Sequence, residues 1–232
     1  MAIRGTRYSP NQSSNIDTIC AAAATRARSD EFAEVHGKFL ERVQKIHDNK
    51  EKGERRRVSA KLPGWGQLIE LCTAESSNLG KIADEFEHVH VLRVTKDDQF
   101  GSRACLEALQ KYVQKTPGIS LHASLPCTVW SSWQEMCIHR YGPKYEKKLR
   151  RRRRAARVLL QHFVELAESI IAQGGEVSFE WPRDCLGWLQ DDLLKFIKKY
   201  DPYAVDVDGC ACGMSNAGGE PLLKKWKFLC TS

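Results

Sequence analysis

The chain has 232 residues, 42% hydrophobic and 28% charged, with a formal net charge of +7 and nine cysteines. That composition fits one large globular core, or a core with an appendage, with no need of a disulfide or metal staple. No run of about 18 apolar residues is present, so no membrane-spanning helix is expected, and the polar stretch Met1 to Asn15 lacks the apolar centre of a signal peptide.

The cysteines are odd in number and scattered singly, which predicts free thiols in a reducing, intracellular compartment. Positive charge concentrates at Lys144, Lys147, Lys148, Arg150, Arg151, Arg152, Arg153, Arg154 and Arg157. A cluster of this kind suits a phosphate-bearing partner, nucleic acid above all. It equally fits a nuclear localisation signal or a solvated helix end.

In chain order, residues 1–15 are expected to be disordered. Residues 17–52 read as a helical arm. Ala21 to Ala24, then Phe32, Val35, Phe39, Leu40, Val43 and Ile46 recur at three- and four-residue steps. Ser29, followed by Asp30 and Glu31, suits the start of a second helix within it. Lys50 to Arg57 is a charge-rich linker, and Pro63-Gly64 opens the globular part. The chain thus divides into a leading segment, 1–57, and a core, 58–232.

Within the core, strands and helices alternate. Gln67 to Cys72 reads as a strand, and Ser76 or Ser77 can cap a helix over Asn78 to Phe86. His88 to Val94 is a second strand, Ser102 to Gln114 an amphipathic helix, and Ile119 to Leu125 a third strand. Arg150 to Gln173 is a long helix with Leu159, Phe163, Leu166, Ala167 and Ile170 as its apolar stripe, ended by Gly174-Gly175. Val177 to Trp181, Ala204 to Val207 and Lys225 to Cys230 are strands, and Leu189 to Tyr200 is a helix. This alternation predicts an α/β fold: a doubly wound, mainly parallel Rossmann-like sheet with helices on both faces, preceded by the helical arm.

The third strand runs directly into Pro126-Cys127, and the chain then becomes polar and aromatic through Thr128, Trp130, Ser131, Ser132 and Trp133. A thiol at the carboxyl end of a strand sits where open α/β sheets place ligands and chemistry. The plain alternative is a buried structural cysteine beside a turn proline. Trp130 and Trp133 suit stacking on a base as well as packing in a core. The fourth strand ends in Phe179-Glu180-Trp181-Pro182, a carboxyl placed at a strand tip and followed by Arg183.

In this order the segments resemble the DNA cytosine-5 methyltransferases, over roughly residues 66–232. The resemblance implies S-adenosylmethionine as cofactor and nucleic acid as partner, DNA before RNA. It implies that Cys127 is the nucleophile that adds to C6 of cytosine, and that Glu180 shares a proton with N3. Glu70, Thr73 and Ser76 then flank the cofactor, with Asp97 or Asp98 for its hydroxyl or amine groups, since carboxylates are acceptor-only. Ser131, Arg150 to Arg154 and Arg183 would contact nucleic acid. So would Lys225 and Lys227, which share one face of the last strand. The departures are specific. Ala74, Glu75 and Ser76 stand where the family has a glycine-rich turn, Trp181 stands for its Asn, and Leu223-x-Lys225-x-Lys227 for its Gln-x-Arg-x-Arg. The chain also resembles short, divergent methyltransferase-like domains associated with mobile elements.

Two further readings stay open. The first is a non-catalytic nucleic-acid-binding module on the same fold with a degenerate cofactor site, in which the arginine cluster dominates binding. The second is a zinc module using Cys210 and Cys212 with Cys185 and Cys230, or His88 and His90. The Cys-x-Cys spacing is tighter than the usual Cys-x₂-Cys, so no metal is expected.

Overall fold

The computed structural model describes residues 66–231. The expected disordered start, the helical arm over 17–52 and the linker over 50–57 lie outside the described residues. Six strands form one mixed sheet: β1 (Gln67–Leu71), β2 (His90–Val94), β3 (Ser120–Ala123), β4 (Val177–Pro182), β5 (Tyr203–Asp208) and β6 (Lys225–Cys230). Their order across the sheet is β2-β1-β3-β4-β6-β5. The pairings β1–β2, β1–β3 and β3–β4 are parallel, while β6 is antiparallel to both β4 and β5.

Strands β2, β3 and β4 alternate. Leu92 and Val94, Leu121 and Ala123, and Val177, Phe179 and Trp181 are buried, while the residues between them are only half-buried. Alternation of this kind marks a sheet with one face packed on a core. Three helices cover that face: α2 (Arg103–Lys115), α3 (Trp133–Ala172) and α4 (Asp191–Tyr200). Phe163 of α3 lies 4.7 Å from Phe179 of β4 and 6.0 Å from Phe196 of α4, measured between ring centroids. Burying each such side chain contributes about 1.5–3 kcal/mol. The helix α1 (Asn78–Ala83) is on the other face, with Gly80 against the Arg93 guanidinium.

Element starts follow local chemistry. Ser102 caps α2 by accepting from the Cys105 N–H, and Ser77, rather than Ser76, caps α1 by accepting from Gly80. The largest departure from expectation is α3, which begins at Trp133 rather than Arg150. Gly142 (φ 71°, ψ −161°) and Pro143 interrupt it, and it resumes because proline is well tolerated in a first helical turn.

At the other end of α3, Gly174 turns the chain with φ 75°, and Gly175 presses against the Ile119 carbonyl oxygen, where a Cβ would collide. A backbone carbonyl in the entry to β3 cannot swing aside. Gly175→Ala is therefore expected to cost about 1–3 kcal/mol, seen as a lower urea midpoint at an unchanged slope.

Candidate active site at the strand tips

The sheet order reverses at β1: the chain leaves β1 for β2 on one side and returns to β3 on the other. The carboxyl ends of β1 and β3 flank this reversal, the position at which open α/β sheets generally bind ligands. The Pro-Cys loop leaves β3 here, and Ser124 N–H donates to the Leu71 carbonyl at the end of β1 at 3.4 Å.

The loop is held by its carbonyl groups. The Trp181 indole N–H donates to the Leu125 carbonyl at 2.6 Å, and the Trp130 N–H to that of Cys127 at 2.9 Å. Gln134 Nε2 donates to the Thr128 carbonyl at 2.8 Å, and the Tyr145 hydroxyl to Gln134 Oε1 at 2.6 Å. Arg153 Nε donates to the Val129 carbonyl at 3.1 Å, and the Cys185 thiol lies 3.9 Å from that of Trp130. With these acceptors met by side chains of α3, β4 and the β4–α4 segment and by the Trp130 N–H, the loop needs no strand partner. It forms a 3₁₀ turn over Thr128–Trp130 that leaves Cys127 half-buried at its start.

The two tryptophans divide. Trp130 is 3% exposed and lies beside Arg153 and Arg157, each 5.8 Å from its ring, so it is a core residue. Trp133 is 68% exposed at the start of α3, a few residues from the thiol, and is the aromatic available for stacking. The Ser131 hydroxyl accepts from the Trp133 N–H at 3.3 Å.

Glu180 meets the loop. Ser124 Oγ donates to Glu180 Oε1 at 2.9 Å, as the parallel register Ala123↔Phe179 requires of the next residues along. The Cys127 thiol is pushed up chiefly by burial; a backbone hydrogen bond and the Lys224 charge pull it down, and Glu180 raises it. Cys127 thus senses both Glu180 and Lys224. Lys224 lies just before β6, with its ammonium 4.2 Å from the centre of the Trp226 ring. The sequence reading gave Ser124 and Lys224 no role, and offered Cys185 only as a zinc ligand. Only Ser124 carried a signal, its place one residue beyond β3.

The residues expected to flank a cofactor split in two. Glu70 is 7% exposed and accepts from Thr73 Oγ1 at 2.8 Å and Ser77 Oγ at 2.7 Å. Asp98 is buried and accepts from the Thr95 N–H at 2.7 Å and hydroxyl at 3.1 Å, forming a capping box. Asp97 and Ser76 are exposed. Ala74, Glu75 and Ser76 form an exposed turn with no positive φ, whereas Cys72 just before them has φ 59°. The backbone position that favours glycine is therefore at the very end of β1, not in the turn. Beside it, Cys72, Thr95, Gln99 and Phe100 line a cavity of about 10 Å³, room for one water. Asp97 is an exposed carboxylate just beyond β2, free to accept from a ligand. Glu70 and Asp98 already serve neighbouring hydroxyl and amide groups.

The basic residues are also sorted by position. Arg150 pairs with Glu146 at 2.6 Å, Arg152 and Arg153 are half-buried, and Arg151 and Arg154 are exposed. Arg183 pairs with Asp184 at 3.2 Å, and its N–H donates to the Lys225 carbonyl. Lys227 lies 5.8 Å from the Trp188 ring. Because β6 is reversed, Lys225 and Lys227 reach the same end of the sheet as Cys127, on the face covered by helices. Among the described residues, no three His, Cys, Asp or Glu side chains gather as a metal site would.

Comparison with protein-family models, curated proteins and solved structures yields no match.

The charges around Cys127 give a signed prediction. Lys224→Met removes a charge that favours the thiolate, so alkylation of Cys127 by iodoacetamide at about pH 8 slows. Glu180→Gln removes one that opposes it, so alkylation quickens. Rates are read on the Cys127 peptide by mass spectrometry.

Proposed function

We propose that this chain is a divergent S-adenosylmethionine-dependent cytosine-5 methyltransferase-like protein, acting on nucleic acid through its Pro-Cys loop. The observation that carries this reading is the Ser124–Glu180 hydrogen bond, which ties the thiol loop to the carboxylate on the neighbouring strand tip. The chemistry needs both groups on one base. Cytosine C5 is a poor nucleophile; when a thiolate adds to C6, C5 becomes an enamine carbon able to take a methyl group. Cys127 forms that bond as the thiolate, its proton passing to solvent, and the bond breaks again when methylated C5 gives up its hydrogen as a proton and the thiolate is expelled from C6. Lys224 stabilises the thiolate. Glu180 holds the proton shared with N3, which makes C6 more electrophilic. The cofactor supplies the methyl group, with Asp97 the chain's acceptor for its ribose. Trp133, exposed beside the loop, offers a stacking surface for an unstacked base. Arg151 and Arg154 supply phosphate contacts. The doubly wound Rossmann-like arrangement belongs to this proposal. The switch point at β1 and the placement of α1 opposite the other helices support it.

A second reading, a nucleic-acid-binding module with a degenerate cofactor site, draws on different observations. Glu70 and Asp98 are both engaged within the chain, and the exposed turn over Ala74, Glu75 and Ser76 has no glycine.

Calorimetry with S-adenosylmethionine and S-adenosylhomocysteine separates the two. The methyltransferase reading expects micromolar binding and a covalent adduct between Cys127 and an oligonucleotide carrying 5-fluorocytosine. Cys127→Ser abolishes the adduct, and Glu180→Gln slows its formation about 10²–10⁴-fold. No binding at millimolar cofactor, with nucleic acid still bound, selects the module.

A further inference from the structure

The Pro-Cys loop runs directly into α3, and the start of that helix is folded back. Gln134 and Tyr145 are 11 residues apart in the chain, a separation that spans about 16 Å in a straight helix. Their 2.6 Å hydrogen bond, and the 3.5 Å ion pair of Glu135 with Arg153, therefore require the break at Gly142-Pro143. The break lays the stretch from Trp133 to Tyr141 beside the arginine run. In that stretch Gln134, Cys137 and Ile138 are the more buried side, which leaves Trp133, Met136 and Arg140 on one exposed face at steps of three and four. Trp133, Met136 and Tyr141 are 68%, 55% and 58% exposed, and the Arg140 guanidinium lies 5.6 Å from the centre of the Tyr141 ring. After the break, Lys144, Lys147, Lys148, Arg151 and Arg154 are all exposed and share one face of the helix. Between Trp133 and Arg157 ten lysines and arginines stand against two glutamates. Both glutamates are taken, Glu146 by Arg150 at 2.6 Å and Glu135 by Arg153. The exposed cations after the break thus have no acid of this segment left to neutralise them, and they favour an outside polyanion.

The meeting of these two surfaces selects the ligand. Phosphates alone account for the cations, and a duplex backbone presents little else. Large apolar side chains exposed beside those cations need a flat apolar partner, which in nucleic acid is the face of a base. A paired base has both faces covered by its neighbours, whereas an unpaired one offers them to aromatic rings. We infer that the folded-back start of α3 binds a single strand of nucleic acid, with bases stacked on Trp133 and Tyr141 and phosphates on Lys144, Lys148, Arg151 and Arg154. This substrate class rests on the nucleic-acid reading above and narrows it. The track starts where the Pro-Cys loop ends. A base reaching Cys127 therefore arrives already unpaired, and no duplex has to be opened to expose it.

The test uses the full 232-residue chain and the fluorescence anisotropy of labelled oligonucleotides of about 12 nucleotides, within the site size of single-strand binders. One sequence is offered as a DNA strand, an RNA strand and a DNA duplex. A single strand is expected to bind about tenfold or more tightly than the duplex, and the tighter of the two strands names the sugar. Trp133→Ala weakens the single strand about 5- to 100-fold and leaves duplex binding unchanged, while Trp133→Phe restores most of the loss because any ring can stack. The melting temperature of Trp133→Ala stays that of the unaltered chain, since the side chain is exposed. Arg151→Gln weakens strand and duplex alike and lowers the salt dependence of both. A duplex bound as tightly as either strand overturns the inference, as does a Trp133→Ala chain that binds both forms unchanged or loses both equally. If Cys127 still forms its adduct with 5-fluorocytosine in that case, only the substrate class falls. If no form of nucleic acid binds, the nucleic-acid reading falls with it.

Discussion

The Trp181 indole N–H on the Leu125 carbonyl, at 2.6 Å, is the constraint around which the strand tips are organised. Leu125 leads into Pro126, which has no N–H of its own to give, so the segment after β3 cannot continue as a paired strand. The carbonyls of Leu125 and of Cys127 to Trp130 each find another donor, because an unmet buried acceptor costs as much as a lost hydrogen bond. Trp181, Gln134, Arg153 and Cys185 supply side-chain donors, and the 3₁₀ turn supplies the Trp130 N–H. The cysteine position is therefore over-determined before any ligand arrives.

The same clamp explains the division among the arginines. On a helix of 3.6 residues per turn, consecutive arginines must face different directions. Arg153 turns toward the loop and meets Val129 and Trp130, whereas Arg151 and Arg154 face outward. One run of charge thus serves both loop structure and surface potential. The carboxylates divide in the same way. Glu70 and Asp98 stabilise the loops after β1 and β2, while Asp97 and Glu180 stand at the tips of β2 and β4.

Strand direction does the remaining work. A strand parallel to β4 would place its first residues at the far end of the sheet. Because β6 runs antiparallel, its beginning lies beside the carboxyl end of β4. That brings Lys224 close enough to offset part of the effect of burial on Cys127, and sets Lys225 and Lys227 at the same end of the sheet. The reversal also sets β5 at the edge, where Tyr203 and Val205 are exposed.

Local patterns made much of this legible in the sequence. Alternating apolar residues mark the strands because side chains in a strand repeat every two residues, and they place the Pro-Cys loop and Glu180 at strand ends. The stripe from Leu159 to Ile170 marks α3, but its earlier part carries Gly142-Pro143 and few apolar repeats, so nothing local announced a helix from Trp133. What tertiary structure decided are relations between segments distant in sequence: the reversed β6, the Ser124–Glu180 bond, the burial of Trp130 against the exposure of Trp133, and the engagement of Glu70 and Asp98. Periodicity reports which face of an element is apolar, whereas strand order and side-chain pairing depend on how faces from distant segments pack, and no single segment encodes that.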